Sequence, residues 1–186
     1  SASMKSPILN QLFRDAVRCG KAVRNETDLC RGAVSISLAA VELVKRIYTS
    51  FHKQKILLVG AGESAQLAGK HFRDIGAVNF VVANRSKEKS QKLVEAIHAD
   101  YAEIQAIPEL LKAVDIVVVA THSKEYLISR ENVQQAMNAR DHRNLLMIDI
   151  STPRNIDPSI QKIQEVFLYD IDHLQDVISE NLEKRK

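Results

Sequence analysis

Long apolar runs, clustered cysteines and a strong net charge are all missing from this 186-residue chain. No stretch approaches the ~18 apolar residues of a membrane helix, so no span is expected. No charged-then-apolar leader opens the chain, so a secretory signal is not expected either, and a cytoplasmic location fits. There are only 2 cysteines, Cys19 and Cys30, in neither a C-x-x-C pair nor a metal-ligand spacing. The 6 histidines are scattered, with no H-x-x-x-H pair, which argues against a zinc site. Each cysteine reads as a small buried residue or an idle thiol. Net charge is only +3 and no dense Lys/Arg run occurs, so composition gives no pointer to nucleic acid. With 45% hydrophobic and 26% charged residues the chain reads as globular, near the size of one ordinary domain plus some extra helix. Ser1-Ala2-Ser3 reads as a cloning remnant and is set aside.

The most informative stretch runs from Lys55 to Ser86. Lys55-Ile56-Leu57-Leu58-Val59 is a short apolar run that stops at Gly60-Ala61-Gly62, and residues 64–74 then carry helical periodicity. A second apolar run, Asn79 to Ala83, ends in Asn84-Arg85-Ser86-Lys87. Strand, glycine turn, helix and strand in this order form half of a dinucleotide-binding unit. Gly60 lets the chain turn off the strand, and Gly62 lets a pyrophosphate approach the backbone. Ala65 is the third small position, where helix and strand come close. The backbone from Gly62 through Glu63 and Ser64 to Ala65 then offers N–H groups at a helix start, a ready anion site. The plainer alternative is a tight strand-to-helix turn without a ligand.

The end of the second strand tells the two common dinucleotides apart. An NAD site places a carboxylate there for the ribose 2′-hydroxyl. This chain has Asn84, followed by Arg85, Ser86 and Lys87. Arg85 can pair with a 2′-phosphate through its planar fork, and Ser86 can donate a hydroxyl, so NADPH is favoured over NADH. Ser86 also reads as the N-cap of the next helix, and the two roles are compatible.

Elsewhere the chain alternates regularly. Ser6-Pro7 opens a first helix with apolar Ile8, Leu9, Leu12, Phe13, Ala16 and Val17, and residues 33–48 read as a second, apolar on more than one face. So much apolar surface suggests burial against another domain. After the glycine unit come a helix at 87–97, a weak strand at 102–104, a short helix from Pro108 and a charge-free strand at 116–120. A helix capped by Ser129, strands at 145–150 and 166–169 and a last helix starting at Asp170 or Asp172 complete the pattern. The last helix runs off the end without a stop signal and looks cut. The expected fold is α/β: a doubly wound parallel sheet, Rossmann-like, with extra N-terminal helices and a truncated C-terminal helix. Ligands then sit at the C-terminal strand ends, which adds Thr121, His122 and the stretch Asp149 to Arg154 to the candidates; His122 reads more simply as a surface residue.

These residues together resemble the glutamyl-tRNA reductase family. The resemblance rests on Leu12-Phe13, the stretch 20–27, the run 31–43, Val59-Gly60-Ala61-Gly62-Glu63, Asn84-Arg85-Ser86, the loop from Asp149 to Pro158 and Tyr169-Asp170-Ile171-Asp172-His173-Leu174. Ser151-Thr152 departs from the small apolar residues the family more often has there. The resemblance implies an NADPH-dependent oxidoreductase of tetrapyrrole (porphyrin) biosynthesis. In that chemistry a cysteine thiolate attacks glutamyl-tRNA, and the thioester is reduced to glutamate-1-semialdehyde. It implies residues 1–50 as the tail of a catalytic domain, 51–170 as the NADPH-binding domain and 171–186 as the start of a spinal helix. It also implies that glutamyl-tRNA is held by other domains, that the parent is a homodimer, and that it contacts glutamate-1-semialdehyde aminotransferase. Neither Cys19 nor Cys30 lies in a stretch resembling the nucleophile site, so this chain is expected to supply the hydride-donor site only. A different small NADP-dependent reductase and a non-catalytic nucleotide-binding module remain as alternatives.

Overall fold

The computed structural model describes residues 11, 12, 14–19, 31–141 and 143–176, with the side chains of 31–35 excepted. The expected helix start at Ser6-Pro7, the stretch 20–27, Cys30 and the run beyond Asp176 lie outside the described residues. Two units divide the chain, Ser1–Val34 and Ser35–Lys186. In the first, residues 11–12 and 14–19 are helical, Leu12 and Val17 are exposed, and Cys19 is an exposed free thiol.

In the second unit the apolar runs become parallel strands and the periodic runs become helices as far as they are described. The elements are α1 (Arg31–Ile47), β1 (Lys55–Val59), α2 (Glu63–Asp74), β2 (Asn79–Asn84), α3 (Lys87–Ile97), β3 (Asp100–Glu103), α4 (Ile107–Leu110), β4 (Ile116–Val119), α5 (Arg130–Asn138), β5 (Leu145–Asp149) and β6 (Val166–Asp170). A final helix, α6, covers residues 171–176. The six strands lie in the order β3-β2-β1-β4-β5-β6, all parallel. This is the doubly wound Rossmann arrangement, and its order reverses between β1 and β4.

Alternate residues of each strand face opposite layers, and each layer is a cluster of buried apolar side chains. Ile56 and Leu58 of β1 pack with Phe72 of α2 and with Leu93 and Ile97 of α3. Leu57 and Val59 face Ile107, Leu111, Val133 and Ala136 on the other side. Here α1 departs from expectation. Ala39, Ala40, Val41 and Val44 are buried in the first layer, so the helix covers this unit's own sheet from Ser35 onward. The buried part of its apolar surface does not require another domain; among its described apolar side chains Leu38 and Ile47 are exposed.

Local signals set the helix starts. Ser86 accepts from Lys89 N at 3.2 Å, and Ser129 forms a reciprocal capping box with Asn132. Asp157 caps the short turn Pro158–Lys162. Asp170, rather than Asp172, caps α6, accepting from Asp172 N at 3.1 Å and His173 N at 3.2 Å. Burial pushes the Asp170 carboxyl up, but the His173 N–H and imidazole and the Arg154 guanidinium outweigh it and hold it below its ordinary value.

Candidate functional site

The site lies at the switch point, where β1 and β4 end side by side and Ala120 N donates to Val59 O at 2.9 Å. Gly60 turns the chain at φ +105°, where its N–H donates to Ala83 O at 2.9 Å. A Cβ there would overlap the Ala120 carbonyl oxygen and come within 2.9 Å of Thr121 Cγ2. Gly62 precedes α2 in extended geometry, and a Cβ built on it would meet nothing within 4 Å. The same turn thus holds one glycine because the protein leaves no room and another that faces open space.

That space is a cavity of about 300 Å³ lined by Gly62, Glu63, Ser64, Thr121 and His122 together with Ile36, Ala120, Ile150, Thr152 and Ile171. Of the expected binding residues, Gly62, Glu63, Ser64 and Thr121 meet there. Ala65 is buried against the sheet, and Ala61 accepts from Gln66 Nε2 at 3.1 Å. Ile150 and Thr152 reach it from the candidate stretch Asp149 to Arg154. Ile36 and Ile171 were not singled out as ligand-facing; they come from α1 and α6, and no local motif marks them. Ser37 Oγ donates to Ser64 O at 3.2 Å, tying α1 to the first turn of α2.

The tip after β2 stands apart from this cavity. Asn84 does not face outward. Its Nδ2 donates to Ser90 Oγ at 2.9 Å and to Ser86 O at 3.2 Å, so it fixes the tip to the start of α3. Arg85 is exposed and has no ion pair or hydrogen bond among the described residues. Lys87 is exposed beside it. Ser86 Oγ donates to Glu88 Oε2 at 2.7 Å, and this hydrogen bond leads in lowering the Glu88 pKa. Position 84 carries no carboxylate, but Glu88 brings one to Ser86 from within α3.

The stretch Asp149 to Arg154 also divides. Asp149 is buried, and its carboxylate accepts from Ser151 N at 3.0 Å, Asn155 N at 2.7 Å and Ile156 N at 2.8 Å. It organises the loop and does not face a ligand. Arg154 turns to Asp170 and Asp172, 2.7 Å from each. Among the described residues no group of three or more His, Cys, Asp or Glu could hold a metal ion, and no helix is long and apolar enough to cross a membrane.

Residues 42–177 match the family model described as Shikimate / quinate 5-dehydrogenase. The chain belongs to this family. Its curated relatives include the glutamyl-tRNA reductase of Aquifex aeolicus, 41% identical over 178 residues, which span 96% of this chain and 44% of that protein. The solved glutamyl-tRNA reductase of Methanopyrus kandleri is 36% identical, with a TM-score of 0.75 over 95% of this chain and 45% of that one. The nucleotide binding domain of the Thermoplasma volcanium glutamyl-tRNA reductase, 22% identical, is covered over 95% of its length and 81% of this chain with a TM-score of 0.60, which shows the fold. The resemblance read from the sequence is therefore one of homology, confined to one region: the chain spans less than half the length of the Aquifex and Methanopyrus relatives.

Proposed function

We propose that this chain is the NADPH-binding domain of a glutamyl-tRNA reductase. The observation that supports a bound dinucleotide is the open space over Gly62 at the start of α2, continuous with a cavity that reaches Thr121 at the end of β4. The Gly60-to-Ala65 turn would hold the pyrophosphate through backbone N–H groups. Arg85, unpaired at the β2 tip, would hold the 2′-phosphate with Ser86 and Lys87, and Thr121 would stand on the nicotinamide side. Asn84 would support the tip from inside. When bound, NADPH supplies a hydride; this domain's residues bind it, orient it and narrow the space around it.

For the parent protein the reaction is the reduction of glutamyl-tRNA to glutamate-1-semialdehyde, which feeds tetrapyrrole synthesis in the cytoplasm. Residues 1–50 would carry the end of a catalytic domain, with α1 shared with this unit, and 171–186 the start of a spinal helix. A homodimeric parent and a contact with the aminotransferase that consumes the aldehyde belong to the same reading.

Arg85→Ala is expected to weaken NADPH binding by roughly ten- to a hundredfold and leave NADH nearly unchanged, because a charge-assisted hydrogen bond contributes ~1.5–3 kcal/mol. Fluorescence titration with both cofactors reads this directly. Equal affinities in the unsubstituted protein would remove the basis for NADPH.

The chain by itself is expected not to reduce charged tRNA. Its described cysteine, Cys19, is an exposed free thiol on a helix of the first unit, and neither cysteine lies in a stretch resembling the family's nucleophile site. A single-turnover assay with glutamyl-tRNA and NADPH checks this; aldehyde formation that Cys19→Ser or Cys30→Ser abolishes would overturn it. The family description favours a second reading, a shikimate-type dehydrogenase. That chemistry would need a Lys-Asp pair, and the cavity lining contains neither residue type. Turnover of shikimate with the oxidised cofactor would carry that reading instead.

A further inference from the structure

One buried side chain gathers the loop that follows β4 beside the cavity. Asn155 follows β5 by six residues and has no exposed surface. Its Nδ2 donates to Ser123 O at 2.9 Å and to Glu125 O at 3.2 Å. Its carbonyl accepts from Leu127 N at 2.8 Å and Ile128 N at 3.2 Å. Its Oδ1 accepts the hydroxyl of Thr121. Its own N–H donates to the buried Asp149 carboxylate at 2.7 Å. A buried amide with both N–H bonds and its oxygen engaged holds its partners in one arrangement.

All of these partners except Asp149 lie between residues 121 and 128, the segment that leaves β4 at the switch point. Thr121 is held from three sides: Asn155 takes its hydroxyl, Ser151 Oγ takes its N–H at 3.2 Å, and its methyl lies against Gly60. Thr121 and His122 line the cavity, and His122 has no hydrogen bond or ion pair among the described residues. The segment thus presents a fixed Thr121 and an uncommitted His122 to the space beyond Gly62.

We propose that Asn155, seated on Asp149, is the positioning residue that sets the Thr121–His122 segment against the nicotinamide half of the cofactor. It acts through Thr121 and touches no ligand itself. The inference rests on the cofactor reading above and adds a division of labour to it. The adenosine half depends on the Gly62 turn and Arg85, and the nicotinamide half depends on a strut from the β5 loop.

The test uses two ligands: NADPH, and adenosine 2′,5′-bisphosphate, which has the adenosine half without a nicotinamide. Asn155→Leu is expected to weaken NADPH binding by about tenfold, the scale of one or two lost hydrogen bonds, and to leave the bisphosphate unchanged. It should also shift the emission of bound NADPH, which reports the surroundings of the nicotinamide ring. Thr121→Val keeps the shape and removes the hydroxyl, so it should reproduce the split even if Asn155→Leu does not fold. Equal weakening of both ligands would reduce Asn155 to a general structural residue, and no change in either would remove its role. Failure of the unsubstituted chain to bind either ligand would instead overturn the cofactor reading, and this inference with it.

Discussion

Gly62→Val is expected to lose NADPH binding by about a hundredfold or more while its circular dichroism spectrum and melting temperature stay close to those of the unsubstituted protein. The backbone at Gly62, with φ −71° and ψ −179°, is open to any residue, and a Cβ there meets no protein atom within 4 Å. A branched side chain therefore harms only what would occupy that space, a pyrophosphate drawn to the start of α2. Gly60→Ala is the matched contrast. Its φ of +105° is strained for alanine, and the new Cβ would overlap the Ala120 carbonyl. That change is expected to cost about 2 kcal/mol or more of stability. Normal NADPH affinity in Gly62→Val would place the phosphates elsewhere.

At the opposite ends of the strands, Arg140→Met is expected to destabilise the domain by about 3–5 kcal/mol and lower Tm on the order of 10 °C, with cofactor affinity retained. Arg140 is 1% exposed. Its guanidinium donates to Leu111 O at 2.7 Å, Asn144 O at 2.8 Å and Arg143 O at 3.3 Å, and also to Val114 O. It thereby joins the turn before β4 to the chain before β5. Burial first, then the Arg143 charge, lowers its pKa, while Asp115, 4.0 Å away, opposes the shift; the guanidinium stays charged. Methionine fills the volume but leaves buried carbonyls without donors. Arg140→Lys keeps the charge without the fork and is expected to recover little of the loss. Thermal unfolding of the two variants measures this, and a fall in Tm of under about 2 °C for Arg140→Met would show that the carbonyls find other donors.

Short-range features were legible because their causes are short-range. β1 is an apolar run, its turn needs Gly60, and Ser86, Ser129 and Asp157 cap helices that begin one residue later. The weak third strand was placed two residues late, because Asp100 and Glu103 are exposed and only Tyr101 and Ala102 between them are half-buried, too short a signal to fix its ends. The helix expected from Pro108 starts at Ile107 and ends at Leu110, and hydrogen-bonded turns carry the chain on to Val114 before β4. The link from Ser86 to Glu88 is only two residues long and could have been found; a Ser followed by an acid in the first helical turn is its signal.

By itself the sequence determined the strand-turn-helix unit, the order of elements, the lack of a carboxylate at position 84 and the exposed Arg85, since each depends on neighbours a few residues away. The tertiary structure decided which faces met. It brought Ile36, Thr121, Thr152 and Ile171 to one cavity, laid α1 on the sheet and turned Arg154 toward Asp170 and Asp172. It also buried Arg140 against the carbonyls of Leu111 and Val114, 29 and 26 residues away, and Asn155 against the hydroxyl of Thr121, 34 residues away. A buried polar side chain is specified by the donors and acceptors the fold leaves unpaired around it, and those exist only once distant segments have packed.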